Sequence, residues 1–435
     1  MISRFTPSKQ NIWALVIRQG MHIINLLAGN IPSSEPVFKP EGLRMLTRFL
    51  KELLSLMLNL VPTDVWYKGY VEHYLLGKYG TRALLSNPAS VPIPFYVIVD
   101  DVGFPRIQGT DVTLDVYRGM LNLAKRYDVK LGLGIVAKYI DYLYITPHSE
   151  PVSYAQELVS FIRNNINFLE TVHHGLLHDK MPFYGEYLCV NPHTGQLLEV
   201  SPQEQESYFE YAWKIYREVG IPEPKIFVPP KHLWRPGVTD LTAEKYGIRY
   251  LVTRPKAVIS YSIGPRSRNL WIVSRAAPIP DLVDIPRTLL TRVLKIRVWR
   301  ELFAVHHSIM MHVSNFIQKD FCQKWHVLYE NAMKSRYVFL AKDCEEAFQN
   351  WLVHRLCLEN KLKAKFVGGV LELKVMDSAF FKKYIGEYLE FSVKSHGTVD
   401  IEGGEEVSRR KESEYNIIKV RFPVLKKRMA LVTRC

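Results

Sequence analysis

The sequence predicts an α/β protein: a parallel barrel or wound sheet, with a helical extension before it and a small antiparallel β appendage after it. Three observations predict this. The run Phe95-Tyr96-Val97-Ile98-Val99 is unbroken, apolar and rich in β-branched residues, and it ends in Asp100-Asp101, as a strand buried on both faces would. From residue 91 onward, such short runs alternate with segments of helical period, giving seven or eight βα units. Past residue 361 the pattern becomes period-two alternation punctuated by Gly368-Gly369 and Gly403-Gly404, the mark of hairpins. The expected divisions are therefore 1–90, 91–360 and 361–435.

Within 1–90, Leu43 to Leu60 places Leu, Met and Phe at helical spacing between Arg44, Arg48, Lys51 and Glu52. An amphipathic membrane anchor is the weaker reading of this stretch, because its polar face is thin. Pro92 and Pro94 open the Asp-Asp strand and Gly103 closes it. Helices are expected at Leu114 to Tyr127, Tyr154 to Asn164, Gln203 to Val219, Thr239 to Tyr246, Ile285 to Trp299, His312 to Met333 and Glu345 to Cys357. Strands are expected at Lys130 to Ala137, Phe168 to Val172, Lys225 to Val228, Ile248 to Thr253, Leu270 to Ser274, Leu302 to Val305 and Tyr337 to Leu340. Residues 179–201 read as a long loop, and loops of that length tend to carry function.

The composition excludes several classes. Of 435 residues, 47% are hydrophobic and 23% charged, which describes a globular chain long enough for one large domain or two to three ordinary ones. A net charge of +14 points to an anionic partner or substrate. Arg409-Arg410-Lys411 and Lys426-Lys427-Arg428 are too short to read as nucleic-acid sites, and Arg287 to Arg300 reads first as a solvated helix face. The five cysteines are odd in number and widely spaced, which implies neither a disulfide framework nor a zinc knuckle. There is no signal-peptide pattern and no run of 18 apolar residues. A reduced, cytoplasmic setting is the expectation, with oligomeric state left open.

Chemistry-bearing residues fall where the predicted strands end: Asp100-Asp101, the cluster His173-His174-Gly175-Leu176-Leu177-His178, and His306-His307. In a barrel these ends share one face. Carboxylate plus imidazole is a donor set for zinc or a similar divalent ion, and His174 and His178, four apart, can share one metal. Asp101 would supply the third ligand, leaving positions open for water and substrate. His173 is the structural member of its cluster.

Val99-Asp100-Asp101-Val102-Gly103 and His174-Gly175-Leu176-Leu177-His178 resemble the first two motifs of the polysaccharide deacetylase (NodB-homology, carbohydrate esterase family 4-like) family. The resemblance covers roughly residues 91–340. It implies a distorted (β/α)7 barrel and a metal-dependent hydrolase that removes acyl groups from amino sugars at carbon–nitrogen amide bonds. The metal implied is zinc, with cobalt, nickel or manganese as alternatives, and the substrate is a carbohydrate. By the same resemblance Asp100 is the general base, and Asp101, His174 and His178 hold the metal. His307, or else His306, protonates the departing amine. Apart from the resemblance, Pro229 to Trp234 read either as a sugar subsite, with Pro230 shaping it and Trp234 as a stacking platform, or as a packed loop.

The chain departs from the family in two places. Phe227 stands where the third motif usually has an Arg, with Arg235 or Arg254 as substitutes. Asp281-Leu282-Val283-Asp284-Ile285 lacks the fourth motif's Trp. Two other readings stand beside the deacetylase. One is a glycoside hydrolase, which needs two opposed carboxyl groups, such as Glu170 or Glu186 with Asp100. The other is a non-catalytic carbohydrate- or nucleic-acid-binding barrel.

Overall fold

The computed structural model of the chain describes residues 91–435 except 108, 147–151, 254–263, 277–307, 318–320, 335–337, 368–369, 427 and 435. The expected N-terminal extension, the helix at Ile285 to Trp299, Asp281 to Asp284, and His306-His307 lie outside the described residues.

The centre is a ring of parallel strands: Val97–Val102 (β1), Leu131–Ile135 (β2), Leu169–His173 (β3), Ile226–Phe227 (β4), Tyr250–Thr253 (β5), Trp271–Ala276 (β6) and Ser308–His312 (β7). Each pairs with the next, and β7 pairs back onto β1, which closes a distorted barrel. Strict alternation sorts their side chains into two layers. Val97, Val99, Leu131 and Leu133 join the cluster formed with the outer helices, while Ile98, Val172, Val228, Val252 and Val273 fill the interior. Inside, Gly132 is required by crowding: a Cβ there would stand 2.7 Å from the Tyr96 hydroxyl.

The outer helices are Leu114–Tyr127 (α1), Val152–Asn164 (α2), Pro202–Glu218 (α3), Thr239–Lys245 (α4) and Phe321–Lys334 (α5), while Cys344–Leu358 (α6) packs with the interior layer of the barrel and the appendage. Local signals set their starts. Ser201 accepts the Glu204 N–H with Pro202 in the first turn, and Asp343 accepts the Glu346 N–H at 2.9 Å.

The strand expected at Leu302 to Val305 and Arg254 also lie outside the described residues. The strand that pairs with β1 is Ser308–His312, for which no strand was expected. Two expectations change. The single helix expected from His312 is a short turn at Val313–Phe316 followed by α5. The loop 179–201 contains a hairpin, Leu188–Val190 with Leu197–Glu199.

The appendage forms two antiparallel sheets. Leu362–Val367 (β8), Val370–Val375 (β9), Thr398–Glu402 (β11) and Arg428–Arg434 (β14) make one, in the order β8-β9-β14-β11. Tyr388–Ser395 (β10), Glu405–Glu412 (β12) and Tyr415–Pro423 (β13) make the other, in the order β10-β13-β12. One hydrophobic cluster runs from Ile98 and Val172 through Trp351 of α6 to Leu371, Phe391 and Phe422, so burial is continuous across residue 361. A buried ion pair reinforces the join. Lys394, 0% exposed, donates to Glu412 Oε1 (2.5 Å) and to the Val338 carbonyl (2.8 Å), while Glu412 accepts the Leu340 N–H. Among the described residues, no helix is long and apolar enough to cross a membrane.

Candidate metal centre

Alternation along β1 would send Asp100 and Asp101 to opposite faces. A bulge prevents this. Between Val99 and Val102 the strand carries one residue more than its partner β2, and Asp101 takes φ +65°. The extra residue re-aims Asp101, as bulges near functional sites do. Asp100 is 1% exposed and keeps the interior side of the strand, in register with His312 of β7. Gly134 of β2 makes room for it, since a Cβ there would lie 3.0 Å from Asp100 Oδ1.

The two histidines arrive on the loop after β3. Asp101 Oδ1 lies 3.4 Å from His174 Nε2 and 3.3 Å from His178 Nε2, and the three donor atoms fall within 4.8 Å of one another. The other nitrogen of each ring is tied down. His174 Nδ1 donates to the Val228 carbonyl (2.8 Å), and His178 Nδ1 donates to Asp179 Oδ2 (2.8 Å). A carbonyl and a carboxylate can only accept, so each neutral ring turns a bare Nε2 lone pair toward Asp101. Two lone pairs facing an anion repel unless a cation or a proton lies between them. This donor set, with an acceptor behind each imidazole, fits a divalent metal ion.

With no metal, the proton takes that place. Burial opposes the charge on His178, but Asp101 and Asp179 outweigh it and push its pKa up to about 9. Burial likewise opposes ionisation of Asp101, and the hydrogen bonds from His174 and His178 outweigh it, holding the carboxyl well below the usual range. The Asp179 carboxyl is lowered against burial in the same way, chiefly by its bond to His178. His178 itself has φ +72°, so two of the three donors sit in strained backbone of the kind that clusters at functional sites.

Glu186 organises the loop from below. It is wholly buried and accepts the N–H groups of Leu176 (3.0 Å), His178 (3.2 Å) and Leu177. Burial outweighs those bonds and raises its pKa to about 7. Gly175, at φ +89°, lets the loop pass, since a Cβ there would lie 2.2 Å from Glu186 Oε2.

The remaining candidates are placed as follows. His173 is buried between the hydroxyls of Tyr216 and Tyr187 and, through its desolvated ring, is held well below an ordinary histidine pKa; it is structural. Trp234 is 0% exposed, so its faces are closed to a sugar, which corrects the stacking role expected for it. Pro230 is buried against the Gly175 backbone. Phe227 packs on His173 with ring centroids 5.2 Å apart, in the helix-facing layer. Arg235 pairs with Glu199 at 2.9 Å.

Glu170 stands near the start of β3, at the far end of the barrel, where Tyr96 Oη and Cys344 N–H bond to it. With Glu186 occupied by backbone N–H groups, neither glutamate forms the opposed carboxyl pair that a glycosidase needs. The sequence reading missed His312. It ends β7, its Nε2 lies 4.0 Å from Asp101 Oδ2, and its side chain is one-third exposed. The signal was present: Ile309-Met310-Met311 is an apolar run ending in His312, just as Val97 to Val99 ends in Asp100.

Fold and site together define a parallel β/α barrel with an Asp-His-His cluster at the C-terminal mouth of its strands. No protein-family model and no curated protein matches the chain. It is similar to solved structures of carbohydrate esterase family 4. One is the Streptomyces lividans enzyme in complex with acetate, 10% identical over 57% of this chain and 90% of that one, with a TM-score of 0.32. A second is a family 4 pseudoenzyme from Bacillus anthracis, at 11% identity over 55% and 61% and a TM-score of 0.33. A third is a family 4 acetyl xylan esterase from Clostridium thermocellum in complex with a cobalt ion, at 14% identity over 51% and 89% and a TM-score of 0.24. Likeness at this level concerns the outline of the fold, and the site rests on its own geometry.

Proposed function

We propose that the chain is a metal-dependent hydrolase of the polysaccharide deacetylase type on a distorted (β/α)7 barrel, removing acyl groups from amino sugars by cleaving the carbon–nitrogen amide bond. The observation that carries this is the convergence of the His174 and His178 Nε2 lone pairs on Asp101 Oδ1, with both Nδ1 atoms already committed. Asp101, His174 and His178 would hold a divalent cation, which when bound supplies Lewis-acid polarisation of the amide carbonyl and a more acidic water.

The chain's own groups do the rest. Asp100, shielded from solvent on the interior face, takes the proton of the attacking water. His312 Nε2, across the mouth from the histidine loop, gives a proton to the departing amine, the role assigned to His306 or His307 from sequence. Asp179 and the Val228 carbonyl fix the ring orientations, and Glu186 fixes the loop.

The test has two arms. Elemental analysis should find one divalent ion in the native chain and none in His174→Ala or His178→Ala. Acetate release from N-acetylated chito-oligosaccharides should occur in the native chain and stop with a chelator. Unchanged metal content in both variants would sink the site. A chain that holds metal but releases no acyl group from any amino sugar would instead be a binding protein that kept the site and lost the reaction. Phe227, where the family's third motif has an Arg, favours that second reading.

A further inference from the structure

The apolar side chains that the fold leaves in water gather at the metal-site end of the barrel. Among the described residues eleven large hydrophobic side chains are exposed. Six of them, Leu143, Tyr144, Met181, Tyr184, Leu197 and Leu198, belong to the two segments that follow β2 and β3. Both segments leave the C-terminal ends of their strands, where Asp101, His174 and His312 also lie. The segments are neighbours: the Ala137 and Lys138 N–H groups donate to the carbonyls of Gly175 and Leu176 in the histidine loop, at 3.0 Å each. Phe104 ties them to the metal centre, its ring centroid 4.3 Å from that of Tyr139 and 5.5 Å from that of His178.

Hydrogen bonds hold these side chains out. Asp141 is wholly buried and accepts the N–H groups of Ile145 (2.9 Å) and Thr146 (2.6 Å), which leaves Leu143 and Tyr144 at the crest of a turn. The Lys180 N–H donates to the Gly185 carbonyl (3.0 Å) and the Phe183 N–H to the Lys180 carbonyl (2.8 Å). Met181 and Pro182 form the tip of that second turn, with Met181 80% exposed. Turn tips ordinarily carry Gly, Asn, Asp or Ser, and clustered apolar side chains in water mark an interaction surface. A tip of this kind projects, and offers a protein partner neither a hollow nor a flat face. It suits a soft apolar medium that can close around it.

The charges beside the tips favour the same medium. Lys138 and Lys231 flank the histidine loop, Lys138 through its bond to Leu176 and Lys231 next to Pro230, which packs on Gly175. Each Nζ lies over a tyrosine ring, Lys138 over Tyr139 and Lys231 over Tyr184, at 5.9 Å from the centroid. Neither has an ion-pair partner among the described residues. Asp179, whose carboxyl feels the Lys231 charge, already accepts from His178 and from the Gly185 N–H. Lysines whose stems lie along apolar side chains keep their charge at the level of lipid headgroups. Cations without a carboxylate, set beside apolar tips, complement an anionic bilayer surface.

We propose that this end of the barrel docks on a membrane surface that contains anionic lipid. Leu143, Met181 and Tyr184 enter the boundary between headgroups and acyl chains, and Lys138 and Lys231 lie against lipid phosphates. Docked in this way, the mouth of the metal centre faces the lipid surface. The inference draws on exposed side chains outside the Asp-His-His cluster and stands whatever reaction that cluster performs.

The test is co-sedimentation of the full chain with vesicles of phosphatidylcholine alone and of phosphatidylcholine mixed with phosphatidylserine. Binding to the mixed vesicles is expected, and it should weaken as salt is raised. Met181→Asp and Leu143→Asp should each weaken it about tenfold. Lys231→Gln should weaken it about fivefold, on the mixed vesicles only. His174→Ala should leave it unchanged. The substituted tip residues and Lys231 are exposed, so these variants should melt with the native chain. No binding, equal binding to both kinds of vesicle, indifference to these substitutions, or loss with His174→Ala would each overturn the proposal. So would sedimentation velocity showing a dimer that Met181→Asp dissociates, because a second copy would then cover the tips.

Discussion

Stripping metal from the site should leave a proton on His178, and that exchange can be measured. The metal-free imidazole, flanked by Asp101 and Asp179, has a pKa pushed up to about 9 against an ordinary 6.5. The gap corresponds to about 3 kcal/mol of interaction between the charged ring and its carboxylates, in a side chain only 8% exposed. The folded value lies above the unfolded one. The stabilisation is therefore complete below about pH 6.5 and is lost as pH rises through about 9. A cation needs the bare Nε2, so loading at neutral pH must expel this proton. Asp101, held well below the usual carboxyl range, contributes none. The apparent metal affinity should then climb about tenfold per pH unit until about pH 9, where it levels off. The assay is calorimetric titration of Zn²⁺ into chelator-stripped chain, in buffers of different ionisation enthalpy at several pH values. The observed heat should vary with the buffer in proportion to the protons released. In Asp179→Asn, which keeps the ligand and removes one of the two carboxylates that raise it, the levelling-off should move below pH 9. Heats independent of the buffer, or a levelling-off unmoved in Asp179→Asn, would refute the reasoning.

Four further outcomes are expected. Asp100→Asn should keep its metal, by elemental analysis, while acyl release falls by about 10²–10⁴-fold, the range for a lost general base; an active variant would remove Asp100 from the chemistry. Glu186→Ala strands the buried N–H groups of Leu176, Leu177 and His178. It should cost about 3 kcal/mol or more in denaturant melts and weaken metal binding. Gly175→Ala should do comparable damage, because its Cβ would meet Glu186 Oε2 at 2.2 Å with φ at +89°. Lys394→Met leaves Glu412 buried without its cation, which should cost about 3–5 kcal/mol. Adding Glu412→Gln should return part of that loss. Additive losses in the double variant would mean the pair is not coupled.

Local chemistry made much of this protein legible before any fold was known. Val97 to Asp101 announces a buried strand with carboxylates at its end because β-branched apolar residues tolerate little else. The 3.6-residue period placed α1 and α3 within a few residues, and the four-residue spacing of His174 and His178 marked one loop as a ligand source. What depends on partners distant in sequence was settled only in three dimensions. Ile309 to Met311 is a short apolar run ending in histidine, and only its pairing with β1 across some two hundred residues makes it a barrel strand and brings His312 to the mouth. The bulge that turns Asp101 toward the histidines is a mismatch between two strands, so neither strand's sequence shows it. Trp234 looked like an exposed platform because sequence records a side chain's size, while its burial is set by the elements packed around it. Glu186 and the Val228 carbonyl, which hold the metal-site loop and one of its rings, carry no motif, because a hydrogen bond to the backbone asks only that the chain return to that place.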